Sequence, residues 1–471
     1  MSSDLLQSLL SNVWSVFLVV LFFGGSIFVH ELGHFLAARR RGAHVERFSI
    51  GFGPAIWSRR GKDGVEYRIS WFPLGGYVLL PQLADLGAVE GESQADVTKL
   101  PPVSYATKMI VFVAGAAFNV LFAFALACIV WIIGQPESSE SSTTRIGYVS
   151  RTIERSPGEK VPSPALKAGL RVGDTILAID GTSVSKWQDI QNLLLLGSGR
   201  DANQQRTSAF TIQRDGQTLE ILVHPELVGE EKERRVGIAP GYELLVSKIA
   251  PNTPAQQAGF AVGDEILRIG DTRVLNVASY QEALDATAAA PVAVMVRRNN
   301  QEVTLTLPAH PAVAKTPAKI GLELITGFRT AHVSPFIQIR EQIVWAFRNL
   351  SSLLNWHSDV GASKLTGPVG IIRIFHNAAD VGFRAVLWFT ILVNINLAIF
   401  NLLPLPVLDG GQMLFATIGR LRGRSLPLNF IMTAQSVFLA LLFSMVLYVS
   451  FFDVRRIVRD VKADAAAPAK P

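Results

Sequence analysis

Four stretches of this 471-residue chain are long and apolar enough to cross a lipid bilayer as helices. A bilayer core about 30 Å thick requires roughly 20 mainly apolar helical residues. The stretches are Val13 to Val29, continuing through a polar motif to Ala38; Met109 to Ile133; Ala385 to Leu408; and Phe430 to Phe452. Only 17% of the residues are charged, against about 25% in soluble domains. The sequence therefore predicts a polytopic α-helical membrane protein with four transmembrane helices. Its net charge of +6 would suit either nucleic acid or an anionic bilayer as partner, and the hydropathy favours the bilayer.

Basic residues near the ends of the spans predict the orientation. Arg39 to Arg41 follow the first span, and Arg420, Arg422 and Arg424 lie between the last two, which places both loops in the cytoplasm. The long region from about 135 to 330 is then outside. Arg455, Arg456 and Arg459 do not fit this orientation, because four spans would put this basic C-terminal tail outside as well. The first helix usually determines the orientation of the whole chain, so we predict the orientation from the basic residues that follow the first span.

The region between the second and third spans repeats itself. Ser163 to Val184 aligns without gaps on Thr253 to Val274, and 12 of the 22 positions are identical. Each copy has a short helix, a V-G-D turn and an alternating strand. This pattern resembles the PDZ domain and implies two α+β PDZ-like domains, at 145–228 and 235–310. PDZ domains generally bind an extended peptide as an added strand. No clear glycine-rich carboxylate-binding loop is seen at Arg145 to Tyr148 or at Tyr242 to Leu245, so tail binding and a steric filter or spacer both stay open.

Residues 332–383 are predicted to form amphipathic helices. Ser334-Pro335 is typical of a helix start. Apolar residues then recur every three or four positions at Phe336, Ile339, Ile343, Phe347, Leu350 and Leu354. These helices are expected on the membrane surface or beneath the repeated domains. Ordinary core packing is the alternative.

The motif His30-Glu31-Leu32-Gly33-His34 ends the first span. Residues i and i+4 of a helix lie on one face, so both imidazoles can bind one ion. Zinc accepts imidazole nitrogen, and Glu31 can act as general base on a water at the ion. Ionisable side chains inside an apolar span usually mark function. The motif therefore predicts a buried metal site.

A third protein ligand is needed. Arg40 stands where a metzincin would have its third histidine, and the single cysteine, Cys128, rules out a Cys-rich site. The remaining candidate within the membrane is Asp409, in the segment Asn401 to Gly411. The two prolines of this segment interrupt regular helix, and broken backbone at membrane depth should line a cavity. Asn396 and Asn401 could hydrogen-bond a peptide there. The alternative is that Asp409 only caps a turn, since spacing alone does not bring residues 30 and 409 together.

Jointly, these motifs resemble the site-2 protease family, and the resemblance covers nearly the whole chain. It rests on H-E-L-G-H, on F-S-I-G-F-G-P at Phe48 to Pro54, on P-L-G-G-Y-V at Pro73 to Val78, on the PDZ pair, on T-G-P-V-G-I at Thr366 to Ile371, and on N-L-L-P-L-P-V-L-D-G-G. The resemblance implies that His30, His34 and Asp409 bind one catalytic Zn2+ and that Glu31 is the catalytic acid and base. It also implies that Asn396, Asn401, Pro404 and Pro406 receive substrate.

The family also has a membrane-associated β-hairpin, which falls between Tyr67 and Val78. An exposed hairpin edge could hold an unwound substrate as a strand, with Tyr67, Ile69, Gly75 and Gly76 as its substrate-binding residues. The sequence departs from the family pattern at Leu79-Leu80, at Ala116 and at Gln412. None of these departures removes a ligand or the base, but the first two touch the edge strand and the second span, where they would affect substrate preference.

The predicted layout has five parts: an N-terminal membrane core (1–134), the two PDZ-like domains, the amphipathic helices, and a C-terminal membrane core (384–460). The resemblance implies a zinc metalloprotease of the bacterial inner membrane, with its active site toward the cytoplasm and its PDZ domains outside. Its substrates would be single-pass membrane proteins, such as an anti-sigma factor or signal-peptide remnants, after an upstream site-1 type protease has trimmed them. A non-catalytic scaffold and a metal transporter are the alternatives.

Overall fold

The computed structural model describes residues 3–83, 100–156, 158–229, 232–310, 320–355, 358–359, 365–424 and 426–466. The chain divides into two compact units. The membrane unit comprises Met1–Gln135, His332–Arg348 and Ala362–Pro471, and the repeat unit comprises Pro136–Ala331 and Asn349–Gly361.

The helices, in chain order, are α1 (Ser3–Arg40), α2 (Tyr105–Ile133), α3 (Pro164–Ala168), α4 (Trp187–Leu196), α5 (Pro254–Ala258), α6 (Val277–Thr287), α7 (Pro335–Leu354), α8 (Pro368–Val381), α9 (Phe383–Asn401), α10 (Asp409–Leu421) and α11 (Leu428–Ala466). The strands are β1 (Arg47–Arg60), β2 (Glu66–Leu79), β3 (Gln135–Ser138), β4 (Ile146–Val149), β5 (Thr152–Ser156), β6 (Glu159–Pro162), β7 (Thr175–Ile179), β8 (Thr182–Ser183), β9 (Ser208–Arg214), β10 (Gln217–Val223), β11 (Glu226–Val228), β12 (Glu233–Arg235), β13 (Ile238–Pro240), β14 (Leu244–Ile249), β15 (Glu265–Ile269), β16 (Thr272–Arg273), β17 (Val292–Arg298), β18 (Gln301–Leu307), β19 (Leu322–Thr326) and β20 (Phe328–Ala331).

Among the described residues, four helices are long and apolar enough to cross a membrane, in agreement with the four predicted spans. They are the Val20–Arg40 part of α1, then α2, α9, and the Leu428–Asp460 part of α11. The third span was predicted to reach Leu408, and this end is wrong. The helix stops at Asn401, because Pro404 and Pro406 cannot continue it.

Small residues let the first two spans approach closely. A Cβ added to Gly33 of α1 would meet the backbone of Ala114 on α2. Such contacts are a common way of packing helices in membranes, where apolar burial adds little. Further along, Leu126 and Val130 of α2 pack against Leu387 and Ile391 of α9. Helix α2 therefore lies between α1 and α9 and contacts both.

Strands β1 and β2 form a twisted antiparallel hairpin that is longer than the predicted one. The start of β1, residues 47–50, is flanked by the two ends of β2, residues 66–69 and 76–79. The other half of β1 pairs with β2 on the far side of residues 66–70. Trp71 and Phe72 are 68% and 67% exposed. Such an exposed apolar surface suits contact with lipid.

The two sequence repeats fold alike. In the first, the strand order is β10-β9-β7-β8, and β4 pairs with β13; in the second, it is β18-β17-β15-β14-β19, with β16 on β15. Each short helix, α3 or α5, starts with proline and ends at a left-handed glycine, Gly169 or Gly259. Strands β13 and β19 lie beyond the predicted ends of the two domains, at residues 228 and 310. The predicted ranges therefore stop before the last paired strand of each copy.

The V-G-D turn of each repeat ends in a buried carboxylate. Asp174 accepts two hydrogen bonds from Arg214, at 2.7 and 2.6 Å, and Asp264 accepts two from Arg298, both at 2.7 Å. Each arginine also donates to the carbonyl of the glycine that ends the preceding helix, at 2.8 Å. The same ion pair thus joins the helix, the turn and the sheet in both copies.

The amphipathic region contains two helices, α7 and α8. On α7, Ile339 and Ile343 pack against the α2 and α9 cluster, which agrees with the core-packing alternative. Phe336 and Leu354, which belong to the same stripe of apolar residues, are exposed. Helix α8 packs on α1 and α9 through Phe375.

Candidate active site

Both histidines of the H-E-L-G-H motif present their Nε2 atoms to one point. The two Nε2 atoms lie 3.1 Å apart, one helical turn from each other on α1. Nδ1 of His34 donates to the carbonyl of Val111 at 2.8 Å, and the side-chain amide of Asn119 lies 3.3 Å from Nδ1 of His30. Partners on the far nitrogen set the orientation of a metal-binding imidazole. Helix α2 therefore orients both rings with Nε2 toward that point.

Asp409 reaches the same point because the chain turns sharply between α9 and α10. A Cβ on Gly410 would collide with the carbonyls of Leu402 and Leu403, and one on Gly411 would collide with that of Leu405. The glycines thus let the turn fold against the start of α10. Oδ2 of Asp409 then lies 3.3 Å from Nε2 of His30 and 3.4 Å from Nε2 of His34.

The spacing of these three atoms suits zinc. Four ligands placed tetrahedrally at Zn–N and Zn–O distances near 2.1 Å are about 3.4 Å from one another. The three observed separations run from 3.1 to 3.4 Å. Oδ2 of Asp409 is buried and makes no hydrogen bond to the residues that the structure describes. A buried carboxylate oxygen of this kind needs a positive partner, which a metal ion would supply.

Gly115 of α2 leaves room for the two rings. A Cβ at this position would collide with Nε2 of His34 and would lie 2.7 Å from Cε1 of His30. Only glycine fits here without moving the histidines. The close packing of α1 on α2 and the site geometry therefore depend on the same backbone contact.

The three residues open into a cavity of about 420 Å³. Glu31 lines it beside them, as do Asn401, Gly75 and Gly76. A Cβ on Gly76 would lie 3.0 Å from Cγ of Glu31, so the last part of β2 runs directly past this carboxylate. Leu439 and Leu442 of α11 form another part of the wall. The cavity thus combines a metal-binding triad, an adjacent carboxylate and a strand.

Of the predicted site residues, His30, Glu31, His34, Asp409, Asn401, Gly75 and Gly76 all line this cavity. Other predicted residues lie elsewhere. Tyr67 packs on Phe35 and Phe48 and donates to Asp63, Ile69 is exposed, and the Asn396 amide donates to Leu392 within α9. Pro404 is exposed, and the Pro406 carbonyl accepts from Gln412 at 3.4 Å. The last two shape the turn before Asp409.

Sequence reasoning missed the part that α2 plays in this site. Asn119 stands in the middle of an otherwise apolar span, and such polar residues usually mark function. That signal was available in the sequence. No comparable feature of the sequence marks Gly115 or the Val111 carbonyl, because their roles arise from the packing of α1 on α2.

The fold and the site together define a class: a metal-dependent hydrolase whose centre lies among membrane-spanning helices. The sequence model described as Peptidase family M50 matches residues 17–445. The regulator of sigma-E protease RseP of Salmonella typhimurium is 30% identical over 469 residues, which cover 94% of this chain and 99% of that protein. RseP of Escherichia coli is 29% identical over 467 residues, with the same coverage. A Vibrio cholerae protein named "Putative zinc metalloprotease" is 31% identical over 468 residues, again covering 94% and 99%.

The chain belongs to peptidase family M50, the site-2 protease family. It is a zinc metalloprotease, and its cofactor is Zn2+.

Proposed function

We propose that this protein cleaves peptide bonds in membrane-spanning segments of other proteins, as a protease of regulated intramembrane proteolysis. The observation that carries the proposal is the juxtaposition of the triad, Glu31 and a strand edge in one cavity of the membrane unit. The likeness to the regulator of sigma-E proteases over nearly the whole chain supports it.

His30, His34 and Asp409 hold the zinc. Bound there, zinc would supply Lewis acidity to the scissile carbonyl and to a water. Glu31 takes a proton from the attacking water on a carboxylate oxygen and then delivers it to the nitrogen of the leaving amine. Asn119 and the Val111 carbonyl keep the two imidazoles oriented through this cycle.

The edge of β2 binds the substrate backbone. In the described sheet, residues 76–79 pair with residues 47–50 on one side only, and Gly76, Tyr77 and Val78 line the cavity. A substrate segment that has lost its helical hydrogen bonds can add here as a strand, with its amides satisfied by β2. The missing side chain of Gly76 brings that strand close to Glu31. Asn401, 3.3 Å from Nε2 of His30, lies within reach of the bound peptide.

The substrates are single-pass membrane proteins that an upstream site-1 type protease has already trimmed. An anti-sigma factor is one candidate class, supported by the names of the relatives, and signal-peptide remnants are another. The two repeat modules act as PDZ-like domains that exclude untrimmed outer domains from the cavity. A cavity of about 420 Å³ suits one extended segment and leaves no room for a folded domain.

The protein lies in the bacterial inner membrane with the metal site toward the cytoplasm and the repeat modules outside. Arg39 to Arg41 and the arginines between α10 and α11 support this orientation.

Zinc content and cleavage by purified wild type and Glu31→Gln test the proposal. The substrate is a model single-pass protein offered with and without its outer domain. We expect one zinc per chain in both proteins, and cleavage of the trimmed form by wild type alone. Bound zinc without cleavage of a panel of trimmed substrates would instead favour the scaffold. Equal cleavage of trimmed and untrimmed substrate would leave the protease in place and remove the filter.

A further inference from the structure

The T-G-P-V-G-I motif, which the metal site does not use, forms the start of α8. Its amides are capped by Asp453, a residue of the fourth span, α11. Oδ2 of Asp453 accepts from the backbone N–H of Gly367 at 3.0 Å and from that of Gly370 at 2.8 Å. Asp453 is only 2% exposed, although it lies on an apolar helix. A buried carboxylate at a helix start is stabilised by the free amides and the helix dipole.

The fit around this carboxylate requires both glycines. A Cβ on Gly367 would lie 2.9 Å from Oδ2 of Asp453, and one on Gly370 would lie 2.8 Å from Oδ1. Arg456, one turn further along α11, donates to Oδ1 of Asp453 and to the carbonyl of Leu365, both at 3.2 Å. We call this set, Leu365, Gly367, Gly370, Asp453 and Arg456, the α11 lock.

The lock matters because α11 has little other packing. Only 11% of its apolar window is buried, against 33% for α2 and 44% for α9. Apolar contacts in a membrane fix the position of a helix along its axis only weakly, since lipid offers similar contacts. A buried carboxylate with two amide partners has one favourable position. The lock is therefore a buried polar contact that can fix the position of α11 along its axis.

The position of α11 along its axis affects the shape of the substrate cavity. Leu439 and Leu442 line that cavity. Leu442 precedes Asp453 by 11 residues, which is about 16 Å along a helix. An axial shift of α11 by a single turn, about 5.4 Å, would move both leucines out of the cavity wall.

We propose that Asp453 is a positioning residue for the protease reaction: its hydrogen bonds to Gly367 and Gly370 hold Leu439 and Leu442 in the cavity wall. The proposal rests on the proposed function only in taking this cavity as the place where substrate binds. Asp453 touches neither the metal site nor the substrate.

The position of α11 can be measured without any substrate. The full-length chain with Cys128→Ser and Leu442→Cys carries one cysteine, in the cavity wall, whose alkylation by a water-soluble maleimide reports the position of the wall. We expect Asp453→Asn and Gly370→Ala each to change the alkylation rate by about threefold or more, since a tenfold change corresponds to only ~1.4 kcal/mol. The matched control is Asp460→Asn. It removes the half-exposed pair of Asp460 with Arg373, which also joins α11 to α8, and should change the rate little.

Kinetics on a trimmed substrate complete the test. With zinc content unchanged, Asp453→Asn should raise KM by about tenfold and leave kcat within about twofold, because the wall is displaced while the triad and Glu31 stay in place. Gly370→Ala should do the same, and the double variant should be no worse than either single one, because both break one interaction. Where Asp453→Asn does not accumulate, Arg456→Gln should give a smaller change in the same direction.

The proposal is overturned if Asp453→Asn behaves like Asp460→Asn in alkylation and KM, if it loses zinc, or if the double variant shows additive losses. If wild type cleaves no substrate at all, the proposed function fails. The alkylation rates still decide whether the α11 lock holds Leu439 and Leu442 in the cavity wall.

Discussion

Buried or nearly buried carboxylates occur in both units, and their partners differ. In the repeat unit, Asp174 and Asp264 each face a guanidinium that donates two hydrogen bonds. In the membrane unit, Asp409 faces two imidazoles, and its Oδ2 has no hydrogen bond from the described residues. An arginine is always charged and fills the carboxylate lone pairs. Imidazoles that bind a metal are neutral and leave the charge of Asp409 uncompensated. The first arrangement is therefore complete in itself, and the second is completed by a cation.

The difference shows how to separate structural from functional buried charge. Removing the partner of a buried ion pair strands a charge and destabilises the fold. Removing a metal ligand changes metal affinity and chemistry more than it changes the fold. Substitutions at the two kinds of carboxylate, and at the residues that support them, therefore separate a structural role from a metal-binding role.

Asp409→Asn should abolish zinc binding and lower cleavage by about a thousandfold or more, since the charge stabilisation from the metal is worth several kcal/mol. Zinc per chain and cleavage of a trimmed substrate measure this. Asp174→Asn is the matched control and should retain zinc. Retention of full zinc by Asp409→Asn would contradict the distinction between Asp409 and the arginine-paired carboxylates of the repeat unit.

Gly115→Ala should weaken zinc binding by about tenfold to a hundredfold, the range found when the support of a ligand is disturbed. The added Cβ would collide with Nε2 of His34. A zinc titration with a competing chelator measures the affinity. Gly25→Ala on α1, where a Cβ would meet nothing within 4 Å, should keep the wild-type affinity.

Arg214→Met should destabilise the first repeat module by about 3 kcal/mol and leave zinc content unchanged, because it strands the buried carboxylate of Asp174. Hydrogen exchange of peptides from residues 163–184 measures the local stability, and peptides from 253–274 are the internal reference. Combining it with Asp174→Asn should recover most of the loss. Unaltered exchange in the single variant would show that the pair adds nothing to the module.

Acid should loosen the second module through Asp264. Burial alone would raise the pKa of Asp264, but the hydrogen bonds from Arg298 and the Ala261 amide hold this pKa below its usual range. A carboxyl with a lowered pKa stabilises the fold above the unfolded pKa of about 4 and loses that contribution as pH falls toward the folded value. Exchange in residues 253–274 should therefore accelerate below about pH 4 in wild type. Arg298→Met should be less stable at neutral pH and should show little of this acid dependence.

Hydropathy and motifs predicted much of the site, and tertiary packing supplied the rest. The i, i+4 spacing of His30 and His34 is a local property of one helix and could be predicted. The approach of Asp409 depends on Gly410 and Gly411 folding a turn against α10, which spacing along the chain does not encode. The family's β-hairpin and the alternation of its first strand suggested Tyr67 and Ile69 as substrate contacts, but the edge that passes Glu31 lies at residues 76–79. Alternation distinguishes the faces of a strand and says nothing about which edge is free.

The strand edge beside Glu31, which pairs with no other strand that the structure describes, bears on which proteins such an enzyme would cut. A strand edge recognises amides and carbonyls, which every protein has, so side chains would contribute little to binding there. A helix in lipid, however, must give up its internal hydrogen bonds before it can offer those groups, and hydrocarbon makes that costly. Susceptibility would then depend on how easily a segment unwinds. Glycine or proline placed mid-span would mark a target more reliably than any consensus around the scissile bond.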